Sequence, residues 1–364
     1  KFENEQATGS FKLRGAMNKM RSLSDEEKKR GVVASSAGNH AQGVAFGAQK
    51  VGVPAFIVMP ETAPIVKINA TRNYGANVIL HGDFYDEAYQ KALQLELEQN
   101  LTFVHPYEDE KVIAGQGTIG LEIFEDLADV DTVVVPIGGG GLISGIATAL
   151  KALNPKIKIY GVVSDQAPGM MQLFHHETPS EYKKKIATIA EGIAVKIPSP
   201  AIHETYISKL VDEIVAVTDD EVAQAIVYLL ENVKTVAEGS GAAGLAAVLS
   251  RKLKLGAKTC VLLCGGNIDL NIMSKVVERG LRAESRLARI AVVVDDTPGN
   301  LNRLTSIMAQ QRANILEVYH DRVSPELGIR ETRIDLLVET SSDQHLAEII
   351  SELKKLGCRV AQSV

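Results

Sequence analysis

From about residue 30 to residue 285, short runs of β-branched and apolar residues alternate with longer stretches whose apolar positions recur at helical spacing. Val32–Ser35, Ala55–Met59, Asn77–His81, Thr132–Ile137, Ile157–Val163 and Thr259–Leu263 are mostly apolar, the pattern of strands buried on both faces. Between them, stretches such as Asp86–Gln99 and Asp219–Asn232 read as amphipathic helices. This order predicts an α/β region with a mostly parallel sheet covered by helices. Gly-rich turns follow three strands: Ala37-Gly38-Asn39, Gly138–Gly141 and Gly265-Gly266-Asn267. Ligands in open α/β sheets sit beyond the carboxyl ends of the strands, so the three turns are expected to share one crevice.

The pattern changes after Glu284. Ala288–Val294 alternates as a strand, Asp295-Asp296-Thr297-Pro298-Gly299 makes a turn, and Asn300–Gln311 is helical. Strands follow around Ile315–Arg322 and Ile329–Glu339, with Gly328 in their connection; a helix then runs from about Ser342 to Lys355, and Cys358–Ala361 closes as a strand. The order βαββαβ predicts an α+β ferredoxin-like module. The expected division is therefore 1–285 and 286–364.

At 45 % apolar residues the chain fills a sizeable core, and no run reaches the roughly 18–20 apolar residues of a membrane span. The net charge of −6 is spread out, and the clusters Lys28-Lys29-Arg30 and Lys183-Lys184-Lys185 read as solvated faces. Neither nucleic acid nor membrane is an expected partner. The cysteines, Cys260, Cys264 and Cys358, are too few for a disulfide framework, and no signal-peptide pattern opens the chain, so a cytoplasmic location is expected. Because it begins at Lys1 within a strand-like segment, the chain is expected to be N-terminally incomplete.

Four constellations carry chemistry. In Thr8-Gly9-Ser10-Phe11-Lys12, a lysine follows an aromatic residue in a segment of small residues. A solvated lysine is the ordinary reading; on an apolar face, desolvation would lower its pKa as a Schiff-base lysine requires. In Pro136-Ile137-Gly138-Gly139-Gly140-Gly141-Leu142, glycines lie between a strand and a helix starting near Leu142. They could cradle a phosphate on main-chain N–H groups or simply allow close packing; the dinucleotide spacing G-x-G-x-x-G fails at Ile143. Ser35-Ser36-Ala37-Gly38-Asn39-His40 fits a carboxylate nest and equally a helix cap. In Cys264-Gly265-Gly266-Asn267, the thiol adjoins a glycine turn; neither Cys260 with Cys264 nor His175-His176-Glu177 has metal-site spacing, so no metal is expected.

Taken in order, Ser10-Phe11-Lys12, Ser36–His40, the tetraglycine and Cys264–Asn267 resemble the serine/threonine dehydratase family of fold-type II (tryptophan synthase β-like) pyridoxal-phosphate enzymes, from Lys1 to about Arg282. Asp296-Thr297-Pro298-Gly299-Asn300-Leu301 and Ala313-Asn314-Ile315 resemble an ACT domain, and the combination resembles the threonine ammonia-lyases that carry one. The resemblance implies a two-domain catalytic region, with a small domain at about 34–111 inserted in a large one. Its implied reaction converts L-threonine to 2-oxobutanoate and ammonia, and L-serine to pyruvate.

By the same resemblance, Lys12 would bond to pyridoxal 5'-phosphate and move the substrate Cα proton. Phe11 and Gly192 would pack on the cofactor ring, Asn39 would meet its phenolic oxygen, and Gly138, Gly139, Gly140 and Gly141 would hold its phosphate. Cys264 would face the ring nitrogen, where a neutral thiol favours elimination over transamination. Ser35, Ser36, Ala37, Gly38, Asn39 and His40 would hold the substrate carboxylate. Related serine racemases carry Ser at the Ala37 position as a second proton carrier, which Ala37 cannot be. Some relatives bind a cation where this chain has Ser164. Pro298, Gly299, Asn300, Leu301 and Asn314 would bind an amino-acid effector, isoleucine if the enzyme feeds isoleucine synthesis, and a dimer or tetramer is implied. The competing functions are a racemase or β-replacing enzyme on the same fold, and a catalytically dead amino-acid sensor.

Overall fold

The strands pair into two separate parallel sheets rather than one. In the computed structural model, β1 (Val32–Ser35), β2 (Ala55–Met59), β3 (Asn77–Leu80) and β4 (Thr102–Phe103) form a sheet in the order β3-β2-β1-β4. A second sheet holds β5 (Thr132–Pro136), β6 (Lys158–Ser164), β7 (Glu213–Val217) and β8 (Thr259–Val261) in the order β7-β6-β5-β8. Every pairing in both is parallel. Residues 1–182 and 186–363 are described; the basic run Lys183-Lys184-Lys185 lies outside the described residues.

The six expected strands are present, with ends that differ by a residue or two, and β4 and β7 add to them. Beyond β8, Leu263 makes a parallel bridge to Phe2, so the strand-like start of the chain reduces to one ladder position. The stretch expected as a helix over Asp219–Asn232 is α-helical only to Tyr228. It then passes through a π-helical turn and stops at Lys234, whose φ of 63° is left-handed.

The central strands of both sheets are largely buried, the pattern of parallel sheets covered by helices. In the first sheet Val32, Ala34, Ile57 and Met59 face a core shared with Ala16 and Met20 of helix Lys12–Ser22, while Val33 and Val58 pack on Ala88, Ala92 and Leu95 of helix Tyr85–Gln99. In the second, Val133, Val135, Ile159 and Val163 pack with Ile143, Ile146 and Leu150 of helix Gly141–Leu153. Helix Lys12–Ser22 comes close to helix Glu110–Asp126, itself capped by Asp109 through Lys111 N and Val112 N. A Cβ at Gly115 would lie 2.6 Å from Arg14 O, so that crossing admits no side chain there.

The chain divides into two units, Lys1–Asp269 and Leu270–Val364, which puts helix Leu270–Ala283 with the second. In that unit β9 (Leu287–Asp295), β10 (Asn314–Asp321), β11 (Glu331–Glu339) and β12 (Arg359–Ser363) form an antiparallel sheet in the order β10-β11-β9-β12. Helices Asn300–Gln310 and Asp343–Lys355 complete the βαββαβ order, with Ile290, Leu304, Ile334, Leu336 and Ile349 in the core. No helix among the described residues is long and apolar enough to cross a membrane.

Candidate active site

The segment leading into Lys12 is laced to the turn after β8. Phe11 N donates to Cys264 O at 3.1 Å, Gly266 N donates to Gly9 O at 2.9 Å, and Asn267 Nδ2 donates to Thr8 O at 2.7 Å. These bonds start the lysine's helix at the carboxyl end of the second sheet, where its side chain turns inward. Lys12 Nζ donates to Pro106 O at 3.0 Å and lies 5.2 Å from the centre of the Phe11 ring. Desolvation lowers the amine's pKa to about 8.

The residue after Pro106 connects the lysine to the glycine loop. A Cβ at Gly139 would collide with the Tyr107 ring, and one at Gly141 would lie 2.8 Å from Tyr107 Cα. Gly140 caps helix Gly141–Leu153 with φ 92°, a conformation that a residue with a Cβ adopts only under strain. Gly138 packs on Ile193 and the carbonyl of Gly192. The loop thus carries no side chains and leads into the start of a 13-residue helix, with Tyr107 packed on Gly139 and Gly141.

The turn after β1 forms the third wall. Ser36 Oγ accepts from Gly38 N at 3.1 Å, and a Cβ added to Gly38 would meet open space. Ala37 and Asn39 are half-buried. Asn39 Oδ1 accepts from Asn267 Nδ2 at 2.8 Å, joining this turn to the one after β8. His40 stands apart: the residue is 3 % exposed, Nε2 donates to Val104 O at 2.8 Å, and Nδ1 has no partner among the described residues. Cys264 is buried, its Sγ donates to Ser240 O at 3.4 Å, and burial raises the thiol pKa well above its ordinary value. A Cβ at Gly192 would lie 2.6 Å from Ser240 Oγ, which places Gly192 on the same side.

The three turns therefore meet in one crevice. Two of its residues went unread in the sequence, Glu238 and Tyr107. Glu238 precedes Gly239-Ser240-Gly241, an acid at the head of a helix of small residues, and Tyr107 follows a His-Pro pair. Neither pattern is distinctive in isolation.

The crevice fits pyridoxal phosphate on its own evidence. It combines a desolvated amine, a glycine loop without room for side chains, and a neutral thiol. Ser10 Oγ and Ser35 Oγ are buried polar atoms without a protein partner. The model of the family described as pyridoxal-phosphate dependent enzyme matches residues 1–265. The chain belongs to the pyridoxal-phosphate dependent enzyme family.

As a member of this family it depends on that cofactor. It is 50 % identical over 360 residues to an L-threonine ammonia-lyase of Thermotoga maritima, covering 99 % of this chain and 89 % of the relative. The solved processed form of threonine deaminase isoform 2 from Solanum lycopersicum superposes with a TM-score of 0.71 at 39 % identity, over 77 % of this chain and 82 % of that one. Maize serine racemase gives 0.70 at 34 % identity, over 77 % and 86 %.

In the second unit, Pro298 and Gly299 lie in the exposed turn after β9, and Leu301 is partly exposed at the head of the next helix. Asn300 Nδ2 donates to Asp295 O at 2.7 Å and to Thr297 Oγ1 at 3.0 Å, which braces that turn. Asn314 Nδ2 donates to Glu339 across the sheet at 3.0 Å. A cavity of about 230 Å³ is lined by Asp295, Thr297, Asn300, Arg303 and Glu331, among others.

Proposed function

We propose that the chain eliminates water from L-threonine to an enamine, whose imine form takes up water to release ammonia and 2-oxobutanoate, and that it acts likewise on L-serine to give pyruvate. The similarity to an L-threonine ammonia-lyase over 99 % of the chain carries this reading, because it spans both units and the whole crevice. Pyridoxal phosphate, when bound, supplies a carbonyl for amines and a conjugated ring that draws electron density from the substrate's Cα.

The chain's own residues supply the rest. Lys12 holds an amine with a pKa of about 8, so a share of it is neutral near pH 7 and able to accept the Cα proton. Gly138, Gly139, Gly140 and Gly141 would hold the phosphate on main-chain N–H groups at a helix start. Phe11 and Gly192 would bound the ring, Asn39 would meet its phenolic oxygen, and Cys264 would face its nitrogen as an uncharged thiol. The turn Ser35–Asn39, with the main chain of His40, would hold the substrate carboxylate.

A racemase is the second reading, favoured by the likeness to maize serine racemase. Ala37 stands against it, since a methyl group cannot carry a proton to the opposite face of Cα. Production of 2-oxo acid from L-threonine and L-serine by the cofactor-loaded protein tests the first reading. Chiral analysis of the recovered substrate tests the second. A loaded protein that yields no 2-oxo acid overturns the dehydratase.

The βαββαβ unit is, in this reading, an ACT-type regulatory domain of a homo-oligomer, with an effector held near Pro298, Gly299, Asn300, Leu301 and Asn314. Its ligand alters activity only by preferring one conformational state. Equilibrium dialysis with isoleucine, valine, threonine and serine tests this; no binding of any of the four rejects it.

A further inference from the structure

Glu238 touches both sides of the crevice. Its Oε1 accepts from Asn39 Nδ2 at 2.7 Å and from Ser240 Oγ at 2.8 Å, and its main-chain N donates to Gly265 O at 3.0 Å. Ser240 O in turn accepts from Cys264 Sγ. One carboxylate oxygen therefore links the side chain expected at the cofactor's phenolic oxygen to the residue expected at its ring nitrogen.

The arrangement also fixes which way the Asn39 amide points. Asn39 Oδ1 accepts from Asn267 Nδ2, and Asn39 Nδ2 donates to Glu238. A flip would set oxygen against oxygen on one side and N–H against N–H on the other. Burial pushes the Glu238 carboxyl above the ordinary carboxylate range, and its Oε1 accepts from both Asn39 and Ser240, whereas a glutamine could turn its N–H toward Asn39 and leave the orientation ambiguous. One hydrogen of Asn39 Nδ2 is engaged by Glu238, and the second stays available to a ligand.

We propose that Glu238 is a positioning residue of the reaction, holding the Asn39 amide and the Ser240–Cys264 pair in register with the two polar ends of the cofactor ring. The proposal rests on the reading of this crevice as the cofactor site. A glutamate left unread in the sequence would thereby orient the N–H that Asn39 offers to the ring oxygen. Its two partners are neutral, so its influence comes from the geometry of the two hydrogen bonds that Oε1 accepts.

The test compares wild type, Glu238→Gln and Ser240→Ala, each loaded with pyridoxal phosphate, at a single pH. The balance of the bound cofactor's absorbance bands is read alongside steady-state turnover of L-threonine. Glu238→Gln is expected to shift the band balance and lower kcat about tenfold or more, with KM changed less than about threefold. Ser240→Ala, which removes one donor to the same oxygen, is expected to shift the bands the same way by less. Unchanged bands in Glu238→Gln, whatever its activity, overturn the proposal. If that variant does not fold, unchanged bands in Ser240→Ala overturn it. A wild type that binds cofactor but makes no 2-oxo acid would sink the dehydratase reading, while the band comparison still decides the role of Glu238.

Discussion

Lys12 Nζ donates to the main-chain carbonyl of Pro106, one residue from the tyrosine that packs on the glycine loop. The lysine, its desolvation and the glycine loop are thus tied to one short segment after β4. The amine is held where water is scarce, which lowers its pKa to about 8. A neutral amine reacts with a carbonyl, so capture of pyridoxal phosphate by cofactor-free protein should speed up as pH rises through about 8. A rate still climbing through pH 10 would mean an ordinary, solvated lysine. Lys12→Ala should lower 2-oxo acid formation by at least about 10²–10⁴-fold.

Gly139 has no room for a side chain because the Tyr107 ring covers it. Gly139→Ala should weaken cofactor binding and destabilise the fold by about 1–3 kcal/mol, the usual cost of overpacking. Tyr107→Ala in the same chain removes the ring atoms in the way and should recover much of the stability. Additive losses in thermal denaturation would show that the two positions do not interact.

His40 gives the molecule an acid-sensitive point. Burial, assisted by the charge on Lys12, lowers its pKa to about 3. Between about 3 and the ordinary value of 6.5 the unfolded chain binds a proton that the folded chain does not. Stability therefore falls as pH drops through that window, on the order of 2 kcal/mol by pH 5 from this residue. The urea midpoint should fall between pH 7 and pH 5, and His40→Asn should flatten that dependence. An equal fall in the variant would assign the effect elsewhere.

Two ion pairs run from the helices flanking the first sheet to the segment around Gly192. Lys196 lies 3.3 Å from Asp86 and Lys67 lies 3.9 Å from Glu191. Their acids are 71 % and 62 % exposed, which limits each pair to about 0–1 kcal/mol. Asp86→Asn with Lys67→Met should therefore leave the denaturation midpoint nearly unchanged. If residues 34–111 close over bound substrate, the double variant should raise KM and increase protease cutting in that segment with substrate present. Identical cutting with and without substrate, in both proteins, would count against closure.

Much of this was legible in the chain because it depends on neighbours in sequence. Apolar runs with period two or none, bounded by glycine turns, mark β1, β2, β3, β5, β6 and β8 before any contact is known. The glycine loop and Lys12 stand out because their chemistry is local: a helix start without side chains, and an amine beside an aromatic ring. β4 was not legible, because two residues carry no period, and β7 went unread although Glu213–Val217 is as long as β2.

What only the tertiary structure decided is which distant groups share an environment. Glu238 lies 199 positions from Asn39, and nothing in its own neighbourhood marks it as their meeting point. His40 belongs to the same hexapeptide as Asn39, yet its ring turns to Val104 while the asparagine faces the crevice. Sequence spacing sets which way a helix or strand presents its residues; it does not set what stands opposite. Here the directions of Asn39, Glu238 and the His40 ring follow the partners that satisfy them where water is scarce.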